Sequence, residues 1–240
     1  MKLPIDIIAS SELIDYYPQE NSVAVVIDVL RASTSIITAL QNGAKAIYPL
    51  ETVEEAQSFA QKGCLVGAER NVVKCDFAHF GNDPFEYTHE AIGGQEVYFT
   101  TTNGTHTIRS CIRAGHEVVI GSFINLSAVA HYCRDKNVLA VCAGWRGKLS
   151  KEDILFGAAL VDALSDTHQP VTDGTDMFLE LWRLHQHHHI EYIRESNHYT
   201  RMLAAGKDNS FEYCLTTDLT DTLPIVEVSS AQELKIISKK

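Results

Sequence analysis

The hydrophobic pattern of the chain alternates between short, almost wholly apolar runs and longer segments in which apolar residues recur with helical spacing. The clearest pair is a β-branched run at 23–28 followed by helical spacing over 32–40, with Asn42 and Gly43 as a helix stop. Such alternation is typical of a sheet covered by helices on both faces. We therefore predict a three-layer α/β/α fold with a mainly parallel or mixed sheet. Further strands are predicted at 46–49, 65–67, 97–100, 118–120 and 138–142, and further helices at 52–62, 107–114, from about 126 and from about 152.

The domain organisation follows from the same pattern. Residues 1–240 are predicted to form a single α/β unit, with two intertwined subdomains as the alternative. From about residue 175 the pattern changes to a mostly helical, His-rich part, which ends in an extended segment at 223–228.

The charge balance limits the partners of the protein. Lys and Arg number 20 against 31 Asp and Glu, which gives a net charge of -11. Nucleic acids and anionic membranes bind to basic faces, so we expect neither partner. No apolar run approaches the roughly 20 residues that span a bilayer, and the first residues do not resemble a signal peptide. We expect a cytoplasmic protein whose six cysteines, which show no zinc-site spacing, are reduced.

The loop after the run at 23–28 places a carboxylate, a guanidinium and several hydroxyls at the start of a helix: Asp28, Arg31, Ser33, Thr34 and Ser35. A carboxylate suits Mg²⁺, and the planar fork of Arg suits a phosphate or sulfonate. Ser and Thr also cap helices routinely. For this loop alone, an N-cap cluster beside a surface arginine is an equal alternative.

Two later loops between a strand and a helix offer more groups for an anion. The first supplies hydroxyls and a glycine that permits close backbone approach, and comprises Thr102, Asn103, Gly104 and Thr105. The second carries Arg146 and Lys148 before Glu152 and Asp153, without the spacing of a Walker A loop. An ordinary turn explains the first loop equally well. A capping box between Ser150 and Asp153 is the simpler explanation of that acid.

A fourth strand end carries Glu69 and Arg70, where the carboxylate either holds a metal or pairs with the arginine. The convergence of all four strand ends favours a functional interpretation. Phosphoryl transfer requires positioning and charge neutralisation, and these loops supply acids, arginines and main-chain donors.

These loops also carry a resemblance to a known family. The stretches that resemble 2-phosphosulfolactate phosphatases in order and approximate spacing are 26–34, 67–70, 81–84, 100–105, 143–144, 150–153 and 196–201, followed by Gly206 and Asp208. The resemblance covers about residues 5 to 224. It implies an α/β fold, Mg²⁺ dependence, a homodimer and hydrolysis of 2-phosphosulfolactate to sulfolactate and phosphate, as in coenzyme M biosynthesis.

The sequence departs from the family pattern at three places. Ala78 and His79 stand where the family has Phe-Asp, Asp83 replaces a serine, and His106 replaces an arginine. A positive charge and a hydroxyl are thereby lost. Another small phosphorylated hydroxy acid is therefore the alternative substrate, and a non-catalytic anion-binding protein is the alternative function.

Two other phosphatase mechanisms compete. A haloacid-dehalogenase phosphatase requires Asp-x-Asp after the first strand, but position 30 is Leu. Cys64 and Arg70 have the Cys-x5-Arg spacing of cysteine phosphatases, although a buried structural cysteine is the simpler interpretation.

The histidines between 185 and 189 form either a metal site or a polar helix face, and the second interpretation is favoured. A core or capping role is favoured for His198.

The working hypothesis assigns roles to these residues. Mg²⁺ is held by Asp28 with Glu69 or Asp153, and Arg31 binds the phosphate of a small anionic metabolite with the donors around residues 103–105. Either a water molecule or Asp28 attacks phosphorus. The residues assigned to catalysis are Asp28, Arg31 and Glu69. Those assigned to substrate binding are Ser33, Arg70, Thr102, Asn103, Gly104, Thr105, Arg146 and Lys148. Within this second set, Arg70, Arg146 and Lys148 are assigned to the other acidic groups of the substrate.

Overall fold

The computed structural model describes residues 1–17, 22–229 and 233–239. The strands are β1 (Leu3–Ile8), β2 (Ser22–Ile27), β3 (Ala46–Pro49), β4 (Leu65–Arg70), β5 (Val73–Lys74), β6 (Glu96–Thr100), β7 (Glu117–Gly121), β8 (Asn137–Cys142), β9 (His168–Pro170), β10 (Leu223–Val228) and β11 (Leu234–Lys239). The α-helices are α1 (Ala32–Gln41), α2 (Val53–Gln61), α3 (His89–Ile92), α4 (Gly104–Arg113), α5 (Leu126–Cys133), α6 (Lys151–Ala163), α7 (Asp173–His185), α8 (His189–Arg194), α9 (Asn197–Ala204) and α10 (Phe211–Leu215). No helix within the described ranges is both long and apolar enough to cross a membrane.

The strands form one mixed sheet in the order β5-β4-β6-β3-β11-β10-β7-β2-β8-β1-β9. Two parallel groups, β4-β6-β3 and β7-β2-β8-β1-β9, lie on either side of the hairpin formed by β10 and β11. The hairpin pairs antiparallel with β7 on one side and with β3 on the other. The prediction of an α/β fold is confirmed, and the C-terminal hairpin makes the sheet mixed.

The layers follow from the residues of β2, which are all buried. Val23, Val25 and Ile27 pack in one hydrophobic cluster with residues of α5, α6 and α7. Ala24 and Val26 pack in a second cluster with residues of α1 and α4. Because alternate side chains of a strand point to opposite faces, helices cover both faces of this part of the sheet.

The carboxyl ends of strands from both parallel groups meet at one place. Three antiparallel pairings separate the two parallel groups, so in a flat sheet their carboxyl ends would lie at opposite edges. Gly104, which follows β6, nevertheless packs against Asp28, which follows β2. The carboxyl ends of β2 and β6 therefore lie side by side in the folded chain.

Candidate active site

One pocket collects the carboxyl ends of β2, β4, β6 and β8 beside the start of α6 and the helix α9. Its lining includes four carboxylates, from Asp28, Glu69, Glu152 and Asp153, and three basic side chains, from Arg31, His198 and Arg201. The other lining residues are Leu30, Asn71, Val72, Asn82, Thr102, Asn103, Gly144, Trp145 and Ser150.

Asp28 is positioned by the turn between β2 and α1. Its Oδ1 accepts a hydrogen bond from the Ala32 N–H at 3.3 Å. Behind it, the Ser33 hydroxyl accepts from the Asp28 N–H at 2.9 Å and donates to the Val26 carbonyl at 3.3 Å. Burial, with a smaller contribution from the charges of Glu69 and Glu152, raises the pKa of Asp28 to about 6 against the opposing charge of His198. Ser33 shapes this turn and does not line the pocket.

Asp153 joins two of the strand-end loops. Its two carboxylate oxygens accept from the Val29 N–H and the Gly144 N–H, each at 3.0 Å. Ser150 makes no side-chain capping bond, so the capping-box interpretation is wrong. Burial, and then the charges of Glu152 and Asp28, raise the pKa of Asp153 well above its usual range. The acid is thus bound by main-chain donors and faces other acids.

Glu152 and His198 form a buried ion pair, with His198 Nδ1 2.6 Å from Glu152 Oε1. Burial works to raise the pKa of Glu152, but the charge and hydrogen bond of His198 outweigh it and lower that pKa. Burial likewise works to lower the pKa of His198, and Glu152 outweighs it, so that pKa is raised. Glu152 Oε2 is buried without a hydrogen-bond partner among the residues that the structure describes.

Glu69 organises the turn that follows β4. Its carboxylate accepts from the Val72 N–H at 2.5 Å and from the Thr102 hydroxyl at 3.2 Å. Asn71 and Val72 have φ of 52° and 70°, and positive φ is costly for a β-branched residue. Glu69 therefore stabilises a strained turn at the rim of the pocket. It does not pair with the Arg70 side chain, which donates to the Glu69 carbonyl and to Thr100 Oγ1.

Arg31 is almost fully buried and is held from one side. Its Nη1 donates to Asp83 Oδ2 at 2.9 Å, to the Lys207 carbonyl at 3.1 Å and to Ser210 Oγ at 3.1 Å. Its Nε and Nη2 make no hydrogen bond to any residue within the described ranges, and the side chain lines the pocket. One edge of the guanidinium is therefore anchored and the other edge is available to an anion.

Gly104 permits the close approach between the loop after β6 and the acid after β2. A Cβ atom at this position would lie 2.6 Å from the Ala32 Cβ and 2.8 Å from Asp28 Oδ2. Thr105 is buried, and its hydroxyl accepts from the Thr101 N–H at 3.2 Å. Both residues support the pocket from behind, whereas Asn103 lines it.

The remaining predicted residues do not line the pocket. Arg146 is exposed and donates to Asn71 Oδ1 at 3.0 Å. Lys148 is exposed and lines a second recess, adjacent to the pocket, which we call the outer recess. Of the predicted site residues, the structure brings together Asp28, Arg31, Glu69, Thr102, Asn103 and Asp153, and it places Ser33, Arg70, Gly104, Thr105, Arg146 and Lys148 outside the pocket lining.

The three places at which the sequence departs from the family pattern differ in position. Asp83 pairs with Arg31 and so contacts the site. His79 is exposed, and its Nδ1 accepts from the Val66 N–H at 3.2 Å. His106 is exposed on α4. Only the change at Asp83 touches a residue that lines the pocket.

Sequence reasoning assigned no role in the site to Glu152 or Arg201 and favoured a core or capping role for His198. All three line the pocket. In the sequence, the neighbouring Asp153 was the acid assigned to the metal, so Glu152 received no role. The site residues were predicted from loops between strands and helices, and α9 does not follow a strand. The available signal was the motif at 196–201, which carries both His198 and Arg201.

The structure also bears on the alternatives. β4 runs through Leu65–Arg70, so an extended strand separates Cys64 from Arg70 where a cysteine phosphatase needs a loop around an anion. His185 Nδ1 lies 3.0 Å from His188 Nε2, and His189 contacts the Leu215 carbonyl, away from the pocket. Within the described residues, no three His, Cys, Asp or Glu side chains form a preformed metal cage.

Comparison with known proteins identifies the family. The model of the 2-phosphosulpholactate phosphatase family matches residues 8–229. The chain belongs to this family. A Thermotoga maritima protein named probable 2-phosphosulfolactate phosphatase is 40% identical over 208 residues, covering 86% of this chain and 90% of the relative. A Clostridium botulinum protein of the same name is 31% identical over 233 residues, covering 94% and 97%.

Family membership confirms the resemblance and assigns the chain to the phosphoric monoester hydrolases. The matched region contains every residue of the pocket lining and both loops that hold Arg31. The pocket is therefore the candidate active site of a phosphatase.

Proposed function

We propose that this protein hydrolyses 2-phosphosulfolactate to 3-sulfolactate and phosphate. One observation carries the proposal: a single pocket, inside the region matched by the family, sets four carboxylates beside an arginine whose Nε and Nη2 have no hydrogen-bond partner among the described residues. The names of the relatives support the substrate. The homodimer and the cytoplasmic location remain part of the same proposal.

Mg²⁺ is the cofactor that we propose. The donor set fits it, because carboxylate oxygens are the ligands that Mg²⁺ prefers, and Mg²⁺ is commonly bound by one or two carboxylates, substrate phosphate and water rather than by a complete protein cage. The raised pKa values of Asp28 and Asp153 point in the same direction, since a cation would relieve the repulsion between these buried acids. Asp28 would hold the ion with Glu69 or Asp153. When bound, it would neutralise phosphate charge.

The side chains of the pocket have separable roles in this proposal. The free edge of Arg31 binds two phosphate oxygens. Asp83 accepts from Nη1 and so holds the guanidinium in place. Asn103 and the start of α4 supply polar donors to the phosphate. His198, oriented by Glu152, places its Nε2 where it can hold a proton near the ester oxygen that leaves.

Two routes to phosphorus remain open. In the first, an Asp28 carboxylate oxygen forms a bond to phosphorus while the bond to the sulfolactate oxygen breaks, and water then hydrolyses the aspartyl phosphate. In the second, Asp28 accepts a proton from a water molecule that attacks directly. Acid quench with radiolabelled substrate separates them, because only the first route leaves label on the protein.

The experiment that tests the proposed function is phosphate release from 2-phosphosulfolactate and 2-phospholactate, with Mg²⁺, with EDTA and with a thiol alkylator. We expect metal-dependent release, insensitive to the alkylator and faster with 2-phosphosulfolactate. Faster turnover of 2-phospholactate would indicate that the substrate is another phosphorylated hydroxy acid. Alkylator-sensitive release without metal would favour Cys64, and tight binding without turnover would favour the non-catalytic function.

A further inference from the structure

Arg201 occupies the boundary between the pocket and the outer recess. It lies on α9, and it lines both cavities. Its guanidinium carbon lies over the Trp145 ring, 4.2 Å from the ring centroid. Stacking on an aromatic face holds an arginine in place without using its hydrogen-bond donors. The side chain is half-buried, so an acceptor that reaches it is only partly solvated.

The other basic groups that line the pocket are already neutralised. Arg31 forms an ion pair with Asp83 at 2.9 Å, and His198 forms one with Glu152 at 2.6 Å. Arg201 makes no ion pair and no hydrogen bond to any residue that the structure describes. Its charge acts on Glu152 at longer range, where it helps to lower the pKa of that carboxyl, but its hydrogen-bond donors have no partner among those residues.

The arginines that the sequence assigned to the acidic end of the substrate are occupied elsewhere. Arg70 donates to the Glu69 carbonyl and to Thr100, and Arg146 donates to Asn71. Lys151, which also borders the outer recess, donates to the Tyr192 carbonyl at 3.2 Å. A carboxylate or sulfonate presents paired oxygens, which match the planar fork of an arginine better than a lysine.

We propose that Arg201, stacked on Trp145, binds the second acidic group of the substrate and so selects phosphate esters that carry an acidic tail. The inference rests on the proposed function, since it assigns the non-phosphate end of the same substrate. The phosphate lies between Asp28 and Arg31, and the carboxylate or sulfonate extends toward Arg201 and the outer recess. The Lys148 side chain borders the recess and adds a solvated charge.

The test compares three esters of secondary alcohols: 2-phosphosulfolactate, 2-phospholactate and isopropyl phosphate, which has no second acid. For Arg201→Gln we expect kcat/KM to fall roughly 10–100-fold with 2-phosphosulfolactate, because a charged hydrogen-bond donor is lost. With isopropyl phosphate we expect a change of less than about 3-fold, because Arg31 still binds the phosphate. Arg201→Lys keeps the charge without the fork, so an intermediate loss is expected.

Arg194→Gln is the matched control. Arg194 lies on α8, stacks over the Tyr199 ring at 5.4 Å and pairs with Glu212, outside both cavities. This variant removes a stacked arginine from a neighbouring helix and is expected to leave the ratio between the esters within about 2-fold of wild type. Circular dichroism on all variants confirms equal folding.

Inhibition separates binding from chemistry. We expect Arg201→Gln to weaken inhibition by 3-sulfolactate roughly 10-fold or more and to leave inhibition by inorganic phosphate unchanged. Lactate tests the carboxylate alone: a similar loss with lactate assigns Arg201 to the carboxylate, and no loss with lactate assigns it to the sulfonate.

The outcomes distinguish this inference from the proposed function. An equal loss with all three esters, or equal weakening of inhibition by phosphate and by 3-sulfolactate, would overturn the role of Arg201 while leaving the phosphatase intact. Absence of phosphate release by wild type would overturn the proposed function. Calorimetric titration of wild type and Arg201→Gln with 3-sulfolactate would then still decide whether Arg201 binds the acidic tail.

Discussion

The two sides of the pocket are built in different ways. The side formed by Asp28, Glu69 and Asp153, which we call the carboxylate side, lies where strands end and a helix begins, and each acid accepts a main-chain N–H group from a neighbouring segment. The side formed by His198 and Arg201, which we call the α9 side, reaches the pocket through tertiary packing. It is held by a buried ion pair and by an aromatic ring.

The two sides differ in their effect on folding stability and in the charge that they bring to the pocket. Buried acids repel one another, so the carboxylate side opposes folding at neutral pH. The α9 side supplies two positive groups. His198 is paired with Glu152, and Arg201 makes no ion pair with a described residue. We infer that chemistry at phosphorus depends on the carboxylate side together with His198, and that choice of substrate depends on Arg201.

The largest effect is expected at the centre of the carboxylate side. Asp28→Asn should lower kcat by about 10³-fold or more, because the buried charge beside phosphorus is lost. Asp135→Asn removes an exposed acid outside the pocket and is expected to retain wild-type kcat. Measurement of phosphate release by both variants checks the prediction. Near-normal turnover by Asp28→Asn would remove Asp28 from the mechanism.

The same substitution is expected to stabilise the protein. The pKa of Asp28 is raised from 3.8 to about 6, so the folded state binds more protons than the unfolded state between these values, and stability falls as pH rises through them. The penalty, on the order of 3 kcal/mol, is complete above about pH 6. In EDTA, Asp28→Asn should therefore raise Tm at pH 7.5 and lose this advantage near pH 4. An advantage independent of pH would contradict the assigned cause.

The next effect is expected where the two sides meet. Glu152→Gln removes the carboxylate that raises the pKa of His198, so that pKa should fall. An accompanying 10–100-fold loss of kcat is expected from the misoriented imidazole. Titration by NMR of the His198 ring measures the shift, and His116, whose pKa burial lowers, serves as the internal reference. A His198 titration unchanged from wild type would show that the ion pair does not form.

A smaller effect is expected from the packing behind the carboxylate side. Gly104→Ala places a methyl group against Ala32 and Asp28 and should destabilise the fold by about 1–3 kcal/mol. Gly157→Ala is the control, because a Cβ on α6 would meet Ile7 at an ordinary 3.4 Å and alanine favours the helix. Urea unfolding of both variants compares them, and equal stability would show that the close approach is absent.

The smallest effect is expected outside both sides. Cys64→Ala should leave kcat/KM within about 2-fold of wild type, because Cys64 precedes β4 and does not line the pocket. Steady-state assays with and without a thiol alkylator provide the check. A loss comparable to that of Asp28→Asn would restore the cysteine mechanism.

The sequence predicted the parts of the fold in which local pattern and burial agree. The apolar run that forms β2 and the run at 46–49 that forms β3 are examples, since both are buried strands. β1 was missed because Pro4 and the buried Asp6 interrupt its apolar pattern. The Asp6 carboxylate accepts a hydrogen bond from the Thr172 hydroxyl at the start of α7. The hairpin of β10 and β11 joins two distant parts of the sheet, which no local pattern reveals.

The same distinction applies to the site. Asp28 follows β2 and Glu69 lies near the end of β4, and both were predicted as acids at strand ends. The pairing of Glu152 with His198, 46 residues later, and the stacking of Arg201 on Trp145 depend on how α9 packs. Arg70 and Arg146 have the right charge but do not line the pocket, and they donate to the Glu69 carbonyl and to Asn71 Oδ1 at its rim.

The most direct test of the two-sided pocket is the ratio of kcat/KM for 2-phosphosulfolactate to kcat/KM for isopropyl phosphate, measured for wild type, Glu69→Gln and Arg201→Gln. Glu69→Gln should lower both values and leave the ratio within about 3-fold of wild type, whereas Arg201→Gln should lower the ratio roughly 10–100-fold. A ratio that changes equally in both variants would contradict the assignment of chemistry to the carboxylate side and of selection to Arg201.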